Sequence, residues 1–97
     1  MPVSSEDKEN FDKMRKLAQE IGDADIDFGS DHARIMELYR LASRYDYMRS
    51  DAQMMRHHLD RYESLKQHVK KQAALSRVRD YVRKLAGLAS MRKDDGN

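Results

Sequence analysis

The chain has 97 residues, 39% of them hydrophobic and 37% charged, where a globular domain has about 45–50% apolar and about 25% charged residues, so it can form one domain with a thin core. There is no cysteine, which excludes disulfides, thiolate metal sites and thiol catalysis together. The formal net charge of +2 does not imply indiscriminate nucleic-acid binding, and regularly recurring apolar residues argue for folding over disorder.

Tryptophan is absent and the aromatic residues are five tyrosines and two phenylalanines, so stacking platforms for single-stranded nucleic acid are scarce. No apolar run approaches the roughly 18 residues of a membrane span, and the N-terminus lacks a basic stretch followed by an apolar one. The expectation is a water-soluble, cytoplasmic, all-α protein, a single small helical domain over residues 1–97 with frayed tails at about 1–4 and 92–97.

Ser4 or Ser5 is a candidate N-cap, Glu6, Asp7 and Glu9 follow in the first turn, and Gly22 is a stop signal. Phe11, Met14, Leu17, Ala18 and Ile21 fall on one face, which predicts an amphipathic helix over about 5–21. An acidic connector, residues 22–30, comes next, with Ile26 and Phe28 placed to plug the joint. From about 31 to 75 the pattern predicts one long central helix. Leu38, Leu41, Tyr45, Met48, Ala52, Met55, Leu59, Tyr62, Val69 and Ala73 follow a 3,4 alternation that Lys66 interrupts without shifting. Such a repeat is a coiled-coil seam, here a candidate surface for a partner or for self-association.

Ser50 with Gln53 could act as a capping box and break that helix near Ser50, but the apolar phase crosses it unchanged. After Ser76 the phase slips, and Val78, Tyr81, Val82, Leu85, Ala86 and Leu88 mark another face. That predicts a last short helix over about 77–90, with Gly87 as a candidate C-cap. The architecture expected is a three-helix bundle or a coiled-coil-like oligomer. The methionines suit core filling or an adaptable docking surface.

Charge is divided along the chain. Residues 1–48 carry seven Lys/Arg and eleven Asp/Glu, net −4, and residues 49–93 carry twelve and four, net +8. Lys66, Lys70, Arg77 and Lys84 lie at helical spacing, with Lys71, Arg79 and Arg83 close by. This basic half could contact phosphates of a nucleic acid, meet an acidic protein, or complement the acidic half of its own chain.

Asp23, Asp25 and Asp27 in the connector, followed by Asp31, have calcium-loop spacing in part. Phe28 and Arg34 stand where the sharp turn needs glycine and the ion needs a bidentate glutamate. His57 and His58 are adjacent, not four apart, so they do not form a helical metal pair. There is no glycine-rich phosphate loop, nucleophile elbow or acid/base pair, and no catalytic, cofactor or metal residues are assigned. Leu38-Tyr39-Arg40 resembles the tripeptide that opens mitochondrial LYR assembly factors. Here it stands well into the chain with no phenylalanine after it, so the resemblance is confined to three residues and carries no function with it.

The function these features suggest is a non-enzymatic helical protein–protein interaction module, an adaptor, inhibitor or structural assembly component that presents the seam to a protein partner or to itself as a homo-oligomer. The alternative is a nucleic-acid-binding protein that uses the basic C-terminal half.

Overall fold

A computed structural model describes residues 4–22 and 26–93, the side chains of 92 and 93 excepted. Asp23, Asp25 and the tails at 1–3 and 94–97 lie outside the described residues. Helix α1 spans Ser5–Ile21. The Ser4 hydroxyl accepts the Asp7 N–H at 3.1 Å, so one of the unsatisfied amides of the first turn is capped, and Glu6 and Asp7 oppose the positive end of the helix dipole. Gly22 ends the helix at φ 81°, a conformation that side-chain-bearing residues avoid, and its N–H donates to the Ala18 carbonyl at 2.9 Å.

Helix α2 spans Phe28–Ala42 and is capped by the Asp27 carboxylate. The connector therefore ends sooner than its composition suggests. Asp31, 6% exposed, accepts the Asp27 N–H at 3.0 Å and an Arg34 N–H at 3.2 Å, so a buried carboxylate holds the entry to the helix. Ile26 is buried and Phe28 stacks on Tyr62 with ring centroids 4.6 Å apart. Both residues plug the joint as expected.

The long central helix is not continuous. Helix α3 covers Asp46–Ser64 and α4 covers His68–Lys93, giving four helices among the described residues where the sequence pattern predicts three. Ser50 lies inside α3, so the capping-box signal there is unused. The break falls instead at 43–45. Ser43 turns its hydroxyl back to the Tyr39 carbonyl at 2.7 Å, Arg44 and Tyr45 bond three residues back to Leu41 and Ala42, and Tyr45 is extended at φ −116°, ψ 125°. Tyr45 is anchored on α1: its hydroxyl donates to Asp7 at 2.8 Å and accepts from Asn10 at 3.0 Å, and its ring meets Phe11 at 4.9 Å. These contacts hold the chain out of the helix at this point.

The second break is at 65–67, where Leu65 is extended and donates to the Arg61 and Tyr62 carbonyls. The last helix accordingly begins nine residues before the expected position 77, and Gly87 is inside it rather than at its cap. On α4 the buried stripe is Leu75, Val78, Val82, Leu85 and Ala89, again alternating three and four but displaced by two residues from the register that placed Val69 and Ala73 on the seam. Two residues turn a helix by about 200°. Val69 is 80% exposed as a result, and Ala73 is exposed as well.

The helices run up, down, up, down. From α1, Glu20 pairs with Arg34 of α2 and Glu6 with Arg44 in the turn that follows it, and His32 faces Glu63 while Arg56 lies over the Tyr39 ring between α2 and α3. Lys84 reaches Asp51, and Lys71 sits over the Tyr62 ring, between α3 and α4. Arg15 donates to the Ala89 carbonyl at 3.2 Å, which ties α1 to the far end of α4. Between consecutive helices the partners run in opposite order, Glu6–Arg44 with Glu20–Arg34, His32–Glu63 with Tyr39–Arg56, and Asp51–Lys84 with Tyr62–Lys71, as short connections between antiparallel helices require. The core is filled by Phe11, Met14, Ile35, Leu38, Leu41, Met48, Met55, Leu59 and the α4 stripe.

Two substitutions separate this packing from an unbroken seam. Leu59→Ala should lower the free energy of unfolding in urea by about 2–5 kcal/mol, whereas Val69→Ala should change it by less than about 0.5 kcal/mol. Comparable losses at the two positions would contradict the break at 65–67.

Candidate functional site

Two groups of residues stand out in the sequence, and the fold separates them. Leu38, Leu41, Met48, Ala52, Met55 and Leu59 are buried against other helices of the same chain. Tyr45 and Tyr62 pack on that core from its margin. A homo-oligomer built on this seam would have to open the bundle to reach six of its ten residues. Val69 and Ala73 alone among the ten are exposed, and they stand on the first turns of α4.

The seven basic residues divide in a similar way. Lys84 is held by Asp51 at 3.1 Å, Lys71 caps the Tyr62 ring at 4.7 Å, and the Nε of Arg79 is buried without a hydrogen-bond partner. Arg83 lies along the α1–α4 groove with Arg15 and Val82. Lys66 is exposed in the turn at 65–67. Lys70 and Arg77 come together, and they do so with two residues of α3 that the sequence did not mark, His58 and Arg61.

These four line a cavity of about 210 Å³ between α3 and α4, completed by Ala73 and Ala74. The hairpin at 65–67 produces this arrangement: with Tyr62 beside Lys71 and Asp51 beside Lys84, the residues between them must face each other in antiparallel order. Position 58 then meets 77 and 81. His58 stacks on Tyr81 at 5.9 Å and sits edge-on to His57 at 5.2 Å.

Most of the other described arginines are matched. Arg15 pairs with Asp12, Arg34 with Glu20 and Asp31, Arg40 with Glu37, Arg44 with Glu6, Arg49 with Asp46 and Arg56 with Asp60. Around the cavity the cations are not: Arg61, Lys70 and Arg77 have no ion-pair partner among the described residues. Six acids of the N-terminal half are thus met by arginines close to them in the fold, and three unpaired cations of the C-terminal half come together at this cleft.

The electrostatics register on His58. Burial holds its imidazole below the ordinary histidine range, and the nearby His57, Arg77 and Arg61 add to the effect. Among the described residues no three histidines or carboxylates gather as a metal-binding group. No described helix is long and apolar enough to cross a membrane. No protein-family model, curated protein or solved structure matches the chain. By its fold and cleft the chain is an up-down-up-down four-helix bundle with a cationic cleft between its last two helices.

His58 yields a pH prediction. Its value is depressed in the folded chain, so on acidification the unfolded chain takes the proton first, and stability falls as pH drops from about 6.5, the ordinary histidine value, through the lower folded value. Urea unfolding from pH 7.5 to 5 should show this decline, and His58→Gln should flatten it; an unchanged slope would contradict the placement of His58.

Proposed function

We propose that the protein is a non-enzymatic helical protein–protein interaction module, and that it meets its partner through the α3–α4 side of the C-terminal half. The reading rests on one juxtaposition. Val69 is 80% exposed and Ala73 is exposed beside it, while Lys70 and Arg77 stand next to them with no counter-charge among the described residues. An apolar centre with a charged rim is the common anatomy of a binding patch, and positive potential around it selects an acidic partner and speeds encounter. The bundle as a whole serves as a rigid mount, since six of its ten heptad-spaced residues are occupied in its own core.

The unneutralised cations also favour a second reading, contact with nucleic-acid phosphates through Lys66, Lys70, Lys71 and Arg77. That reading requires affinity for DNA or RNA that falls steeply as salt rises.

Lys70→Glu with Arg77→Glu, and separately Val69→Asp, test the proposal. All three positions are exposed, so circular dichroism should be unchanged. Affinity for a protein partner captured from the native host should fall by about tenfold or more in both variants, because both charge and apolar contact are needed. Retention of full affinity by both would contradict the proposal. Loss in the charge variant alone, together with salt-dependent RNA or DNA binding, would favour the nucleic-acid reading.

A further inference from the structure

We propose that the concavity in which His58 and Arg61 of α3 face Lys70 and Arg77 of α4 is a site for a single phosphoryl group, carried by a phosphorylated side chain of a protein partner. The inference rests on the reading of the α3–α4 side as the working surface and adds the chemistry of what it takes.

Ala73 and Ala74 leave the room and the four nitrogen-bearing side chains supply the walls of a cavity of about 210 Å³. Guanidinium groups offer forked N–H donors that match two oxygens of a phosphate at once, and an ammonium adds a point charge. Two arginines and a lysine with no acid between them repel one another, and a bound dianion relieves that repulsion. His58 is faced by His57 and Arg61 on its own helix and by Arg77 and Tyr81 on α4. An anion among these groups stabilises the imidazolium, so proton and phosphate favour each other's binding.

The surroundings favour a peptide over a nucleic-acid backbone. A backbone needs cations repeated along a track. Past Arg77 the track ends: Arg79 has its Nε buried, Arg83 is engaged within the protein, and Lys84 is held by Asp51 at 3.1 Å. On the other side of Lys70 and Ala73 lies Val69, 80% exposed, which suits an apolar residue flanking a phosphorylated one.

The test is an NMR titration of His58 in the full chain, with inorganic phosphate added at constant ionic strength against sodium chloride. Phosphate should move the His58 midpoint upward. The effect should vanish in Arg61→Gln with Arg77→Gln and survive in Lys66→Gln, which removes a nearby charge without touching the cleft. A phosphoserine peptide with a leucine beside the phosphoserine should then bind about tenfold or more tightly than its unphosphorylated form. An unmoved His58, an equal movement in the double variant, or a single-stranded oligonucleotide that binds more tightly than the peptide with a salt slope of several phosphates would each overturn the inference. The phosphate titration reads the cleft alone and the Val69→Asp variant reads partner docking alone, so failure of one is distinguishable from failure of the other.

Discussion

The three-residue turn at Leu65–Gln67 is the constraint on which the rest of this structure depends. A helix carrying one apolar stripe must cover it, and α1, with 17 residues, is too short to cover a stripe running from Leu38 to Ala73. By turning at 65–67 the chain brings its own last helix back along α3. Leu75, Val78, Val82, Leu85 and Ala89 can then bury against the stripe that Met48, Ala52, Met55 and Leu59 present. The same turn sets which side of α4 faces outward. Val69 is released to solvent, and Lys70 and Arg77 are set opposite Arg61 and His58.

Hydrophobic periodicity disclosed which residues would be buried better than it disclosed where helices would end. Six of the ten seam residues are in the core, because a 3,4 alternation marks an apolar face whether the helix is continuous or folds back on itself. The break at 43–45 leaves the phase intact and is set by Tyr45, whose hydroxyl is bonded to Asp7 and Asn10 on α1. No local signal announces a tertiary contact of that kind. The break at 65–67 has a signal in Lys66, a charged residue on the seam, and in the phase slip after Ser76, about ten residues beyond its origin. Glycine misled at Gly87, which occupies an exposed position within α4 where a Cβ would meet nothing within 4 Å.

The basic cleft was half legible. Lys70 and Arg77 stand out on α4 by spacing alone. Arg61 and His58 join them across a hairpin, and pairing across a hairpin can be read only once the turn is located. Ion pairing then refines the charge map: along the N-terminal half Arg34, Arg40 and Arg44 meet carboxylates close by in the fold, while Arg61, Lys70 and Arg77, without ion-pair partners among the described residues, line one cleft. A site of that kind costs stability through like-charge repulsion and returns it when an anion is bound.

Whether the stripe is closed within one chain is measured most directly by pulsed electron resonance between spin labels at Ser50 and Gly87. Both positions are exposed, and the absence of native cysteine lets each label be placed at an introduced one. A single unbroken helix would separate the two positions by about 55 Å. The fold described predicts a far shorter distance, since Asp51 and Lys84 are in contact at 3.1 Å, and that distance should persist when the labelled protein is diluted into an excess of unlabelled chain. A distance near 55 Å, or a short one that disappears on dilution, would contradict it.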